Sequence, residues 1–198
     1  MESTIAIAIV LFPDVEELDW VGPWEVLRTW QGFWPDDGAD VFTVADSLDE
    51  IVCAKGMRVR ADRTWAECER ADVVILPGGQ GTRPQLGDEA VRRRMRGLAE
   101  GGALMTSVCT GSLVYADAGL LDGRPATTHW ASLDHLARLG TDIEVRPDDR
   151  YVDSGEIITA SGVSAGIDMA LHLVRRLAGE ERAREVRRYI QYDPQPPV

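Results

Sequence analysis

Residues 101–121 read GGALMTSVCTGSLVYADAGLL. Ala103–Val108 is a short apolar run with the length and composition of a buried strand. Thr110–Ala118 has the pattern of a helix, and one cysteine, Cys109, stands at the corner between them. A strand that turns at once into a helix is the unit of an α/β layer fold. The tight corner also pushes its residue out at the sheet edge beside a helix N-terminus, whose amides favour a thiolate. Gly111 lets the turn pass close to a neighbouring backbone. The arrangement is the thiol counterpart of a nucleophile elbow, with Ser107 where the first glycine usually stands.

The same alternation extends in both directions. Upstream, Thr4–Phe12 is apolar and β-branched, a buried strand. Glu16–Trp30 is amphipathic, with Gly22-Pro23 expected to break or kink it. Ala39–Ala45 is a second strand, and Ile51–Ala54 with Met57–Ala61 forms a small hairpin. Val73–Pro77 runs into the glycine-rich GGQGT, and Asp88–Glu100 is helical. Downstream come short strands at Ala126–Thr128, Ile143–Val145, Tyr151–Asp153 and Ile157–Ala160, with a helix at Ser132–Leu139. A strong amphipathic helix from Ser164 ends at Gly179, and a charged helix over Glu180–Tyr192 precedes the tail DPQPPV. No repeat, low-complexity block or long linker interrupts the 198 residues. The reading is one domain over 1–198, a three-layer α/β/α sandwich with a mainly parallel sheet, flavodoxin-like in its layering.

Composition narrows the function classes. The 33 acids against 21 basic residues give a formal net charge of −12, a surface that repels nucleic acid and anionic lipid. Lys55 is the only lysine, a bias consistent either with salt adaptation or with GC-rich coding. No apolar run is long enough to span a membrane, and MESTIAIAIVLF lacks the basic start of a signal peptide. Cys53, Cys68 and Cys109 are odd in number and without CxxC spacing, which speaks against a disulfide framework or a metal site and for the cytoplasm. Cys53 and Cys68 read as buried fillers. No cofactor motif is present in the sequence.

Ligands of such sheets bind at the carboxyl ends of the strands. The backbone amides of Gly78 and Gly79 are expected at that edge, where they would hold developing negative charge as an oxyanion site. A proton partner for the thiol has two candidates. His129, in ATTHWASL, is one; His135 and His172 lie in amphipathic helices and read as structural. Asp19 is the other. It stands between Leu18 and Trp20, where an acid is desolvated and held protonated, whereas Glu16 and Glu17 serve the helix start. Trp20 and Trp130 could wall an apolar substrate pocket, or serve the core or a dimer contact.

These residues carry a family resemblance. PGG, VCTGSLVYADAGLLDGRPATTHW and ITASGVSAGIDMALHLV, in that order and after LFPDVEELDWVGPWEVL, resemble the ThiJ/PfpI superfamily with its class I glutamine amidotransferase-like fold. The likeness runs from about Ile5 to Pro197. Within the superfamily, TSVCTGSLV, ATTHWA and the terminal tyrosine and prolines are most similar to the isonitrile hydratase branch. That resemblance implies Cys109 as nucleophile, Asp19 as its acid, Thr110 as a tuning neighbour, a small-molecule substrate, no cofactor and a homodimer. Thr110 stands where peptidase-like branches carry His after the cysteine, which speaks against peptidase activity. Asp19 stands where the deglycase-like branch has Glu. The expected activity is therefore hydration of an isonitrile to an N-substituted formamide. The rivals are a thiol enzyme for reactive carbonyls, a redox sensor, and a binding module akin to the sensor domains of AraC-type regulators.

Overall fold

The computed structural model describes residues 4–195. The remainder of the prolyl tail, 196–198, on which part of the resemblance rests, lies outside the described residues. Seven strands form the main sheet: β1 (Ile5–Val10), β2 (Ala39–Ala45), β5 (Arg63–Thr64), β6 (Val73–Leu76), β7 (Leu104–Val108), β10 (Tyr151–Asp153) and β11 (Ile157–Ala160). The hairpin strands β3 (Ile51–Val52) and β4 (Arg58–Val59) pair with each other, as do β8 (Pro125–Ala126) and β9 (Glu144–Val145). The order across the main sheet is β10-β11-β7-β6-β1-β2-β5, parallel throughout except for β10 at one edge.

The central strands are apolar on both faces because helices cover both. On one side lie α1 (Glu17–Phe33), α5 (Ala165–Ala178) and α6 (Glu180–Tyr189), burying Leu27, Trp30, Met169, Leu173 and Val186 with Ile7 and Ile9 of β1. On the other lie α2 (Glu89–Glu100), α3 (Gly111–Asp117) and α4 (Leu133–Leu139), burying Met95, Leu113, Tyr115 and Leu136 with Met105 of β7. The expected strand and helix alternation is met. No helix among the described residues is long and apolar enough to cross a membrane.

Two local expectations change. Gly22-Pro23 does not end α1, which continues as one helix to Phe33. Pro23 lies inside the helix, beyond its first turn, and a Cβ on Gly22 would come 3.0 Å from Ile167 Cγ1, so the glycine lets α1 and α5 approach and their packing carries α1 through the proline. The second change is in the glycine-rich loop after β6, where Gln80–Gln85 winds into a 3-10 turn. This turn stands over the carboxyl ends of β6 and β7, where the corner cysteine emerges.

Candidate active site

Cys109 follows β7 directly and has φ of +57°, a left-handed conformation that a non-glycine residue adopts at a cost of about 1–3 kcal/mol. Its backbone is held on every side. The amide donates to the carbonyls of Ala160 (3.1 Å) and Ser161 (2.9 Å) at the end of β11. The carbonyl accepts from Ser112 Oγ (3.1 Å) and Thr128 Oγ1 (2.8 Å), both buried. Gly111 follows because α3 crosses β6 with no room for a side chain: a Cβ there would lie 2.1 Å from the Leu76 carbonyl oxygen.

The thiol is 6% exposed. Burial, and then the negative charge of Asp19, push it up to about 12, against the opposing pull of the backbone amides of Thr110 and Val163. The expected lowering by the helix N-terminus is therefore reversed. α3 is only seven residues long, and removing the sulfur from water outweighs what its amides return. Val163 reaches the thiol only because its own φ is +41°, a conformation that a β-branched residue rarely adopts.

Asp19, from the first turn of α1, is fully buried beside the Cys109 thiol. Its Oδ2 accepts from the Gly78 amide at 2.8 Å, while Oδ1 has no nitrogen or oxygen partner. Desolvation raises its pKa from 3.8 to about 7; the Gly78 amide opposes this, Glu16 adds to it, and the Cys109 and Lys55 contributions are smaller. Burial thus raises both groups, but Asp19, at about 7, gives up its proton before Cys109, at about 12, so in the state holding one negative charge the carboxylate carries it and the thiol keeps its proton.

The amides of Gly78 and Gly79, expected as an oxyanion site, are engaged here by neighbouring side chains. The Gly78 amide is taken by Asp19, and the Gly79 amide donates to Thr110 Oγ1 at 3.0 Å. A Cβ on Gly78 would fall 2.5 Å from the Thr110 nitrogen and 2.8 Å from Asp19 Oδ2, so glycine is required for Asp19 and Thr110 to close around it. Thr110 is buried and also receives the Thr82 hydroxyl at 3.2 Å.

A pocket of about 290 Å³ opens above the sulfur, lined by Cys109, Thr110, His129, Val163, Glu16 and Arg83 among others. His129 therefore reaches the site. Its Nδ1 accepts from the Ala131 amide at 3.3 Å, and the edge of its ring lies over Gly162. Both tryptophans stay outside. Trp20 is packed in the core with its indole directed at Cys53, because the helix period that buries Asp19 turns Trp20 to another side. Trp130 is 76% exposed, its ring 5.5 Å from that of His129.

Some site residues were not singled out by the sequence, or were given another role. Glu16, read only as part of the helix start, lines the pocket and pairs with Lys55. Arg83 donates to the Gly79 carbonyl at 3.0 Å. Glu17 fixes the β3–β4 hairpin by accepting from the Lys55 amide at 2.7 Å, which brings Ala54 to the pocket. The one available signal was the lone lysine, Lys55, beside Gly56 in the hairpin turn and opposite an acidic helix start. Cys53 and Cys68 lie outside the site; burial raises both thiols.

A parallel α/β sheet with a cysteine elbow and a buried acid from the first helix defines the class. Residues 5–176 match the DJ-1/PfpI family, and the chain belongs to that family. It is 40% identical over 193 residues to an isonitrile hydratase of Pseudomonas putida, spanning 98% of this chain and 81% of that one. It is 30% identical over 140 residues to the HTH-type transcriptional regulator CdhR of Pseudomonas aeruginosa, spanning 69% of this chain and 40% of the regulator. A crystal structure of a ThiJ/PfpI family protein from Pseudomonas syringae superposes with a TM-score of 0.88 at 32% identity, covering 99% of this chain and 78% of that one.

Proposed function

We propose that the protein hydrates an isonitrile, R–N≡C, to the N-substituted formamide, with Cys109 as nucleophile and Asp19 as proton donor. The observation that carries this reading is the Cys109–Asp19 pair, buried together with no histidine following the cysteine, in a chain 40% identical to an isonitrile hydratase. The terminal isonitrile carbon accepts a nucleophile and a proton at the same atom, which the sulfur and the carboxyl can supply together once the thiol proton has passed to Asp19.

In the first step the Cys109 sulfur bonds to the terminal carbon and Asp19 gives its proton to that carbon, leaving the thioimidate R–N=CH–S and an Asp19 carboxylate. Water then adds to the thioimidate carbon. Asp19 accepts one water proton and passes it to nitrogen, giving the neutral adduct R–NH–CH(OH)–S. Collapse forms the carbonyl and breaks the C–S bond. The hydroxyl proton returns to Asp19, the thiolate is restored and R–NH–CHO leaves. Thr110, tied to Gly79 and Thr82, would hold the elbow in register, and the Val163 and Thr110 amides would steady the departing thiolate. His129, Glu16 and Arg83 would orient the substrate and the water at the mouth. A homodimer is part of the proposal: Leu18, Val52 and Met57 are exposed apolar side chains on the start of α1 and on the hairpin tied to it.

The test is a purified-protein assay with cyclohexyl isonitrile and, beside it, methylglyoxal. Formation of N-cyclohexylformamide with methylglyoxal untouched supports the proposal. Turnover of methylglyoxal alone would reassign the thiol to carbonyl chemistry. Turnover of neither substrate, with stoichiometric oxidation of Cys109 by peroxide, would make the chain a sensor.

A further inference from the structure

On the far side of the turn Gln80–Gln85 lies a second crevice, of about 310 Å³. It opens where β1, β2 and β6 end. β1 stands between β2 and β6, so the chain order reverses there, and the carboxyl ends of β1 and β6 flank the position where open α/β sheets admit ligands. Its size falls at the lower end of small-molecule sites.

The lining has a definite chemistry. Leu76 and Met95, both buried, form the floor, and the half-buried rings of Phe12 and Trp65 form the walls. Arg94 crosses the rim with its guanidinium 5.1 Å from the Trp65 ring centroid and bonds Asp46 at 2.7 Å. Asp14 and Asp88 also line the crevice, Asp88 accepting the Ala90 and Val91 amides at the start of α2, so the lining holds three carboxylates and one guanidinium that is already paired with Asp46. An apolar, ring-walled cavity with a net-negative lining selects a flat ring carrying a positive charge.

Only one backbone thickness separates this crevice from the thiol pocket. Gln80 lines both. On the thiol side, the Gly79 amide holds Thr110 Oγ1 at 3.0 Å. On the other side, a Cβ on Gly81 would lie 1.9 Å from the Pro13 carbonyl oxygen and 2.8 Å from the Phe12 ring, and one on Gly79 would lie 2.4 Å from the Asp14 carbonyl oxygen. A wall packed this tightly on both faces transmits displacement instead of absorbing it.

We propose that the Phe12–Trp65 crevice is a binding site for a small aromatic amine, and that its occupation alters the reactivity of Cys109 through the Gly79–Gly81 wall.

The test uses three probes of one shape and different charge: tryptamine, indole and indole-3-acetate. By calorimetry, tryptamine should bind at least tenfold more tightly than indole-3-acetate, with indole between them. Val91→Trp, from the half-buried face of α2 that lines the crevice, should fill it and abolish the tryptamine heat. Asp46→Asn should weaken tryptamine several-fold while unfolding stays cooperative. Saturating tryptamine should change the rate of Cys109 alkylation by iodoacetamide at least twofold in the unmodified protein and leave it unchanged in Val91→Trp. The proposal is overturned by the absence of heat at millimolar tryptamine, by equal affinity for the anionic probe, by heat that persists in Val91→Trp, or by an alkylation rate indifferent to saturation.

Discussion

Asp19 and Asp153 are both tied to side chains that titrate or react, yet they are tuned in opposite directions. Asp153, at the end of β10, is partly exposed and bonds His172 Nε2 at 2.7 Å and Arg176 at 3.0 Å. Burial works against its charge, but His172, the Gly155 amide and Arg176 outweigh it and hold the carboxyl below its ordinary value. Asp19 has the same burial effect in full, only one amide against it and no cation in contact, and it rises to about 7. The difference teaches what separates an acid held ionised from one held protonated: the density of positive partners decides it, more than burial alone. His172 completes the contrast. It stacks on Tyr151 at 4.7 Å, and Arg175 approaches its Nδ1 at 2.9 Å, so it is fixed as part of the scaffold, as its place in an amphipathic helix implied.

The sharpest way to break this comparison is to remove each group in turn and follow turnover of cyclohexyl isonitrile. Cys109→Ala should abolish turnover while circular dichroism stays unchanged. Asp19→Asn should lower kcat by roughly 10²-fold or more, the usual loss for a general acid. Asp153→Asn should leave kcat within about twofold and instead lower unfolding stability by about 1–2 kcal/mol, because it removes charge-assisted bonds that are partly screened by solvent. A wild-type rate in Asp19→Asn would end the argument that a raised pKa marks the donor.

Stability against pH sharpens the same contrast. Asp19 is raised above its ordinary 3.8, so between about pH 4 and pH 7 the unfolded chain ionises while the folded chain holds the proton. Its contribution is complete below about pH 4 and is lost as pH rises through about 7; at 1.36 kcal/mol per pKa unit the upper bound is about 4 kcal/mol. Asp153 is lowered, so its contribution is present above the ordinary carboxylate range and is lost as pH falls through the folded value. Urea unfolding across pH 3–8 should show wild type losing stability between about pH 4 and pH 7 relative to Asp19→Asn. Parallel curves would place the Asp19 pKa near its ordinary value.

How much of this was legible in the sequence follows from what each signal encodes. The corner at residues 104–117 was legible because an apolar β-branched run, a glycine that only a close crossing needs and a helical period agree with one another. Asp19 was legible as an acid among apolar neighbours. The amides of Gly78 and Gly79 were placed at the edge where they lie, while their acceptors in this structure, Asp19 and Thr110, were hidden, since a glycine pair announces exposed amides without saying which acceptor arrives first. Trp20 and Trp130 were left open between pocket walls and a core or dimer contact because hydrophobicity does not tell which side of a helix or turn faces the thiol. Val163 was hidden entirely, because a β-branched residue is the last type expected at positive φ. Thr128 was hidden inside ATTHWA, although its hydroxyl holds the Cys109 carbonyl at 2.8 Å. Thr128→Val should lower kcat about tenfold with KM nearly unchanged, and Thr128→Ser should restore most of it. If both variants behave alike, the hydroxyl is not what positions the elbow.

The smallest expected effect separates two roles for Asp19 that the other variants leave joined. A carboxylic acid beside a thiol can deliver a proton to substrate, or it can simply help the thiolate form. In this site the Asp19 charge, once present, pushes the Cys109 thiol up. Removing that charge while keeping the shape should therefore make the sulfur easier to ionise at alkaline pH. Asp19→Asn retains an amide that can donate to the thiolate, yet it has no proton to give to carbon. The expectation is a dissociation: turnover collapses, while iodoacetamide alkylation of Cys109 above about pH 8 rises by a few-fold, because a repulsion between two neighbouring charges has been removed. Peptide mapping keeps the signal from Cys53 and Cys68 apart. If alkylation falls together with turnover, Asp19 acts by supporting the thiolate, the proton must come from the mouth of the pocket, and His129 becomes the donor to test next.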